Sequence, residues 1–505
     1  AMNKSSERKF AVVLSYTNII LKNLIVFLYT PFLLKYLGQS EYGIYQMTNS
    51  VIMGLSVLSM GFSGSYVRFY MKFKNAKDKK SINNLNGMYL ILFVGIALLS
   101  LIIGSILVIN TKRFFGASFT EEQVQQTQLL MGILVLNIAI TFPSTVFDCN
   151  ILANEKLKFQ QGRQVAQTIA VPIISIPLII FGAGAEAIVI TQTITTIILL
   201  IMNINFAVTK LNMRFSFKKI PLDLLKEVSI FSFFIFLSQV IDLVNNNVPS
   251  FIVGMFLGAK DVAVYSVASQ IKNLFFMLSV GLSGVYVPHI NELVSSGTTK
   301  NKLLHLMIKV GRLQLILLTF ILGGFIAIGK FFIVTWAGEE NIQAYYLLIL
   351  MVLPVLVPLS QNVGIEIQRA MNRHYFRSIV YSIFALINVG ITVFSVINFG
   401  ILGSISGYII ATVCANGIAM NWYYQKKMGL DMGFFWKSIV NVFIPFIIAT
   451  TIVFTISNII GNINIVTFVL LGLIYSVIYI VLYLCISATD FELSNIKKMI
   501  NYVKR

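Results

Sequence analysis

The sequence predicts an all-α polytopic membrane protein of about fourteen transmembrane helices, and three observations support this. The 505 residues are 57% hydrophobic and only 11% charged, a composition far from that of a soluble globular chain. The apolar residues form runs of about 20 or more, each long enough to cross the ~30 Å hydrocarbon core as a helix. The basic residues concentrate in every second connection between these runs.

Each predicted span is an apolar run whose polar residues cluster at its ends. The first run has no small-residue cleavage site behind it and is too long for a removable signal, so we expect a retained first span. In chain order the predicted spans cover residues 10–34, 43–70, 85–111, 124–151, 159–182, 186–208, 226–257, 262–289, 303–335, 342–368, 376–398, 401–424, 437–458 and 464–487.

The distribution of charge tests this count. Of the 38 Lys and Arg residues, 31 fall on one side of the membrane, which the positive-inside rule identifies as cytoplasmic. An extra or missing span would scramble the alternation, so we expect fourteen spans with both termini inside. The net charge of +19 then indicates contact with anionic lipid headgroups, not nucleic acid. The five external cations are Lys35, Lys112, Arg113, Lys260 and Lys330, and the two counted as deep inside the membrane are Lys22 and Lys272.

An internal repeat divides the chain. When the sequence is shifted by 220 residues, ten identities fall within 31 ungapped positions, and they include Gly38 on Gly258 and Tyr66 on Tyr286. A weaker match joins Phe181-Gly182 to Phe399-Gly400. The two copies start on the same side, so they are parallel repeats. We therefore predict an N-terminal six-helix lobe over residues 1–209, a second over 210–427, and two further spans with a cytoplasmic tail over 428–505.

Enzyme and metal signatures are weak in this sequence. The stretch from Gly324 to Phe331 approaches a phosphate-binding loop but ends in Phe where a hydroxyl is needed. The three histidines lie at cytoplasmic ends of spans without a Cys or carboxylate cluster. The longest external connection, about residues 112–123, is too short to build a substantial catalytic site. We therefore expect no catalytic residues, no metal and no cofactor.

The cations within spans are the first candidates for a binding site. Lys22 and Lys272 lie about 13 and 11 residues into their spans, which places both near mid-membrane. A charge facing lipid there costs at least ~2.5–3.5 kcal/mol, so each is expected to face a polar interior or an internal salt bridge. Arg68, near the cytoplasmic end of span 2, is a third candidate, with interfacial anchoring as the alternative.

Intramembrane carboxylates are the second group. We expect Glu366 to pair with Arg369 and Asp148 with Arg163. Asp242 is followed one turn later by Asn245 and Asn246 and then by Pro249, and a broken, carbonyl-rich segment beside a carboxylate suits Na⁺ or H⁺ binding.

The 220-residue shift places Lys22 on Asp242. If the repeat extends that far back, a cation and an anion occupy related positions. Our hypothesis is that they pair without substrate and separate when an anionic headgroup competes for the lysine.

The motifs from Phe32 to Tyr45 and from Gly61 to Arg68, with the second copy from Ile252 to Gly258 and from Ala263 to Ala268, resemble the Wzx-type oligosaccharide flippases. These belong to the multidrug/oligosaccharidyl-lipid/polysaccharide (MOP) exporter superfamily, which includes the MATE transporters. The resemblance covers nearly the whole chain. One departure is Val248-Pro249-Ser250, where many relatives carry an acidic residue.

The resemblance implies a two-lobed transporter that moves polyprenyl-diphosphate-linked oligosaccharide to the outer leaflet of the bacterial cytoplasmic membrane by alternating access. It also implies a basic cavity for the diphosphate, for which Lys22, Arg68 and Lys272 lie on the corresponding spans. Expected partners are the lipid-linked sugar, membrane lipids and other polysaccharide assembly proteins. Two alternatives remain: a multidrug or cation antiporter of the same superfamily, and a membrane-embedded glycan enzyme.

Overall fold

The computed structural model describes residues 4–59, 62–217, 222–371, 373, 375–490 and 492–494, and in these ranges the regular secondary structure is helical. The chain divides into two compact units, unit 1 at Ala1–Ala263 and unit 2 at Val264–Arg505. Several residues of the sequence analysis lie outside the described ranges: Gly61 of the repeat, Lys218, Lys219, His374 and the basic residues of the tail after residue 494. The division into two lobes and a C-terminal pair stays a prediction.

Unit 1 is built from long helices joined by short connections. Two of their N-termini are capped: the Thr120 hydroxyl and the Gln123 side chain form a reciprocal capping box, and Asp78 accepts from the Ser81 amide. Hydrogen bonds from Ser81 lower the pKa of Asp78. The helices are α1 (Lys4–Ser56), α2 (Phe62–Asn75), α3 (Lys79–Ile109), α4 (Thr111–Phe115), α5 (Glu121–Ala153), α6 (Leu157–Ile180), α7 (Glu186–Asn205), α8 (Leu222–Asn246) and α9 (Val248–Phe256).

Helix α10 (Ala259–Gly284) begins in unit 1 and continues into unit 2, and it meets the next helix at a bend of 45°. Asp431 and Asn464 cap two later helices by accepting from Phe434 and Thr467. The remaining helices are α11 (Val287–Ser295), α12 (Lys300–Ala337), α13 (Gln343–Ser360), α14 (Asn362–Ala370), α15 (Tyr375–Phe399), α16 (Ser406–Thr412), α17 (Asn421–Tyr423), α18 (Met432–Ile439), α19 (Phe443–Ile460) and α20 (Ile465–Leu482).

The helices are those of a multi-pass membrane protein. Ten helical stretches among the described residues are long and apolar enough to cross a membrane, and the bent pair α10–α11 makes eleven. The count of fourteen is not confirmed. Two of the ten, Thr17–Ser59 and Tyr375–Met428, contain 43 and 54 residues, whereas about 20 suffice for one crossing. Each is interrupted by a glycine with positive φ, Gly38 at 79° and Gly400 at 63°.

The backbone carries the same internal repeat as the sequence. Gly38 and Gly258 are related by the 220-residue shift, and both have positive φ, at 79° and 113°. The weaker match behaves alike, since Gly182 and Gly400 have φ of 90° and 63°. Positive φ is open to glycine and strained for most other residues. The repeated glycines therefore lie at the bends between consecutive helical segments.

A buried arginine fixes the C-terminal helices within unit 2. Arg312 on α12 is only 4% exposed. Its Nε and Nη2 donate to both carboxylate oxygens of Glu492, at 2.8 and 3.0 Å. Its remaining donors reach the carbonyl oxygens of Ser438 and Ser487, each at 2.6 Å. This Arg312 clamp joins α12, the start of the span that contains α18 and α19, and the chain beyond α20.

The pKa of Glu492 reflects the clamp. Burial by itself raises the pKa of this carboxyl, but hydrogen bonds from Arg312 and from the Thr489 amide outweigh burial and leave the pKa below its ordinary value. A carboxylate with a lowered folded-state pKa stabilises the fold above its unfolded-state pKa, and that stabilisation disappears as pH falls through the folded-state value.

We expect Glu492→Gln to destabilise the protein by about 3 kcal/mol, because it leaves Arg312 buried without its counter-charge. Thermal unfolding in detergent at neutral pH measures the loss, and the difference from wild type should shrink as the buffer is acidified toward pH 4. The matched control is Glu366→Gln, whose partner Arg369 is 65% exposed, so its cost should stay within about 1 kcal/mol. Equal melting of Glu492→Gln and wild type at neutral pH would contradict the clamp.

Candidate functional site

The interior of unit 1 is polar where α1 meets α6. The Asn18 amide donates to Gln164 at 3.2 Å, and Tyr29 shares a hydrogen bond of 2.7 Å with Ser175. Each pair is separated by 146 residues, so α1 and α6 run side by side in the same direction. Lys22 lies one turn after Asn18 on this stripe of α1. Its side chain is exposed and forms no ion pair with any residue that the structure describes.

A polar pocket of about 160 Å³ opens beside this seam, between α5, α6 and α7. At its centre Arg163 donates to Asp148 at 2.6 Å, which confirms the predicted pair. The side chain of Arg163 is 7% exposed and that of Asp148 is 29% exposed. The other lining residues are Thr141, Ser144, Thr145, Gln164, Gln167, Thr196, Leu199 and Asn203.

Two polar atoms around the pocket are buried and have no hydrogen-bond partner among the described residues: Arg163 Nε, a donor, and Asn203 Oδ1, an acceptor. The Asn203 amide nitrogen donates to Ser144 at 3.1 Å. Buried polar atoms are nearly always paired with protein, water or ligand. Both atoms are enclosed in the pocket wall, so the polar groups around the Arg163–Asp148 pair are not all satisfied by the described residues.

Arg68 lies on α2, which a ladder of tyrosines and asparagines holds in place. Asn150 on α5 donates to Tyr66 at 2.9 Å, and Tyr66 donates to Asn86 on α3 at 2.6 Å. One turn on, Asn154 donates to Tyr70 at 2.9 Å. The Arg68 side chain itself is exposed, with its guanidinium 5.7 Å from the Phe69 ring. Sequence reasoning missed this ladder, although Tyr66 belongs to the repeat.

The structure places a helix break where the Asp242 segment predicts one. Helix α8 ends at Asn246, Asn247 stands between the helices, and α9 begins at Val248. The Asn246 amide donates to the Asp242 carbonyl oxygen at 2.9 Å. The Asp242 side chain is exposed, and it forms no ion pair with Lys22 in this conformation. Among the described residues there is also no cluster of His, Cys, Asp and Glu that could hold a metal ion.

Lys272 in unit 2 is enclosed by aromatic rings. It is 3% exposed, and its Nζ lies 5.0 Å from the centroid of Tyr408 and 5.9 Å from that of Phe276. Such cation–π contacts return about 0.5–2 kcal/mol when desolvated, less than the cost of burying the charge. The Lys272 ammonium group is therefore enclosed within unit 2 in this conformation.

A second cation of unit 2, Arg377, also lies over an aromatic ring. The Arg377 guanidinium lies 4.6 Å from the centroid of Tyr381, and Tyr381 donates to Asn416. Arg377 is the third residue of α15. The predicted local pair of Glu366 and Arg369 is confirmed at 2.7 Å.

We expect Asp148→Asn to lower the stability of the protein by about 3 kcal/mol, because Arg163 then keeps a buried charge without a partner. The double variant Asp148→Leu, Arg163→Met should recover most of that loss, since an apolar pair of similar volume replaces both charges. Thermal unfolding in detergent measures all three proteins. A double variant as unstable as the single one would show that the pair is not the cause.

Comparison with known proteins agrees with this architecture. Residues 10–294, more than half of the chain, match a family described as polysaccharide biosynthesis protein. No curated protein matches the chain in sequence.

Two solved structures share the fold. Lipid II flippase MurJ, in an inward closed conformation, matches with a TM-score of 0.71 and 16% identity over 94% of this chain and 97% of its own. An inward-facing multidrug resistance MATE family transporter of the MOP superfamily matches with a TM-score of 0.65 and 14% identity over 84% of this chain and 99% of its own. The resemblance drawn from the repeated motifs is thereby confirmed at the level of family and fold: the chain belongs to the polysaccharide biosynthesis protein family and has the MOP fold of flippases and transporters.

Proposed function

We propose that the protein is a flippase that moves polyprenyl-diphosphate-linked oligosaccharide from the inner to the outer leaflet of a bacterial cytoplasmic membrane by alternating access, with both termini in the cytoplasm. The family match to polysaccharide biosynthesis supports the substrate class. The fold shared with a lipid II flippase supports a lipid-linked cargo.

The observation that carries the proposal is the burial of Lys272. A lysine 3% exposed in a span lowers stability, and such residues commonly serve function. An ammonium group attracts the anionic diphosphate that joins polyprenol to sugar. In unit 1, Lys22 supplies a second cation, exposed and without an ion pair to a described residue. Arg68 on α2 is the third proposed contact.

We expect Lys272→Met and Lys22→Ala each to slow flipping by at least about tenfold, which is the effect of losing one charge-assisted hydrogen bond. The measurement uses proteoliposomes with fluorescent polyprenyl-diphosphate sugar on one leaflet. The control is Lys112→Ala, because Lys112 is 67% exposed and pairs with the equally exposed Glu121. Unchanged flipping in both span variants would refute the assignment of these lysines.

Ion coupling is the second part of the proposal. Asp242, with Asn245 and Asn246 one turn later, borders the break between α8 and α9. Such a break frees backbone carbonyl oxygens beside a carboxylate, the ligands that Na⁺ or H⁺ coupling requires.

In the same liposomes we expect a Na⁺ or proton gradient to accelerate wild-type flipping severalfold, and Asp242→Asn to lose this acceleration while it retains the rate without a gradient. The control is Glu366→Gln, a carboxylate already paired with Arg369. An Asp242→Asn protein that still responds to both gradients would exclude this carboxylate from coupling.

A multidrug or cation antiporter is the alternative, favoured by the fold shared with a MATE transporter. The pairing of Asp148 with Arg163 weighs against it, because a cationic drug would need that carboxylate. Uptake of a cationic dye in the proteoliposomes separates the two functions.

A further inference from the structure

A second cavity lies in unit 2, away from the residues discussed above. It has a volume of about 340 Å³, within the ~300–1,000 Å³ typical of small-ligand sites. Helices α12, α13 and α19 surround it, together with the connection between α19 and α20. The predicted orientation places this end of the helices outside. Its lining residues are Ile326, Ala327, Ile328, Lys330, Phe331, Val334, Tyr345, Phe454, Ser457, Asn458, Gly461, Asn462 and Ile463.

Lys330 is the single charged residue of this lining, so the cavity is electropositive. Its Nζ lies 5.5 Å from the ring centroid of Tyr345 and 5.3 Å from that of Tyr346. It forms no ion pair with any residue that the structure describes. The two rings hold the ammonium group at the cavity while leaving its three hydrogen-bond donors available.

The other polar groups of the cavity separate into two kinds. Tyr345 donates to the Ile326 carbonyl oxygen at 2.6 Å, and Ser457 donates to that of Ala327 at 3.0 Å. These groups are satisfied within the protein. The side-chain amides of Asn458 and Asn462, by contrast, have no hydrogen bond to the described part of the chain. Lys330 and two asparagine amides are thus the groups left to bind a ligand, and all three are donors.

The surroundings of the cavity are those of a lipid site. Lys330 precedes the end of α12 by seven residues, about 10 Å along the helix, a depth from which lysine reaches the headgroup layer. In the chain segments that flank the lining residues Asn458 and Ile463, the side chains of Ile459 and Ile465 are 80% and 67% exposed. They offer a surface along which acyl chains can lie.

We propose that this cavity binds the phosphate group of a membrane lipid at the predicted external surface, with Lys330 as the charged contact and Asn458 and Asn462 as hydrogen-bond donors. The inference is independent of the flipping function, since it rests on the cavity and on the membrane location alone. The shared chemistry is a lipid-borne phosphate, carried either by an anionic phospholipid or by a polyprenyl diphosphate.

Native mass spectrometry of the full-length protein in detergent tests this site with three probes: phosphatidylglycerol, phosphatidylcholine and polyprenyl diphosphate. We expect an anionic probe to bind at least about fivefold more tightly than phosphatidylcholine, and Lys330→Gln to remove this preference. Lys260→Gln is the matched control, because Lys260 is also an exposed cation of the predicted external side and does not line the cavity. Preference for phosphatidylglycerol supports a phospholipid site, and preference for polyprenyl diphosphate alone supports a site for the proposed cargo.

Asn462→Leu provides the second variant in case Lys330→Gln does not fold, and it should weaken anionic binding while the melting temperature stays unchanged. Binding of polyprenyl diphosphate is compared in the Lys22→Ala, Lys272→Met background, so that the proposed transport cations do not contribute. Equal binding of all three probes, or an anionic preference that persists when Lys330→Gln is added, would overturn the proposal. Flipping assays remain separate: loss of lipid preference with intact flipping contradicts neither this site nor the function.

Discussion

The constraint behind this structure is that hydrocarbon offers no hydrogen bonds, so every polar group within it must be satisfied by the protein. Helices satisfy the backbone groups through their own hydrogen bonds. The buried charged side chains form ion pairs or pack against aromatic rings. Arg163 binds Asp148, and Arg312 binds Glu492 and two carbonyl oxygens. Lys272 lies among aromatic rings. Each of these buried charges is thus held by contacts that the protein itself supplies.

The two units differ in how they satisfy their polar and charged side chains. Unit 1 gathers hydroxyls, amides and one ion pair around a polar pocket, with Lys22 on the neighbouring seam. Unit 2, besides the Arg312 clamp, places two cations against aromatic rings, with Lys272 beside Tyr408 and Arg377 over Tyr381. The two halves of a duplicated sequence thus differ in chemistry: one surrounds a pocket with hydroxyls and amides, and the other packs two cations against tyrosine rings.

Much of the architecture can be predicted from sequence patterns that each involve a single class of residue. Apolar runs predict helices, and the glycines that the sequence repeat aligns, Gly38 with Gly258 and Gly182 with Gly400, share positive φ in the structure. The pairs Asp148–Arg163 and Glu366–Arg369 follow from charge and helix depth. The Arg312 clamp and the tyrosine ladder of α2 do not, because they join side chains far apart in sequence whose meeting depends on tertiary packing. The boundary between predicted spans 1 and 2 also differs from the expectation, because the structure has a single bend at Gly38 where a loop was expected.

The Arg312 clamp also bears on how the chain is made. Arg312 enters the membrane with its helix, but Glu492 lies 180 residues further along. During synthesis the Arg312 guanidinium therefore lacks its counter-charge until every later span and Glu492 have been made. A chain interrupted between α20 and Glu492 would contain every helix from α1 to α20 and one buried charge without its counter-charge. The short segment around Glu492 therefore completes the charge balance of a helix inserted much earlier.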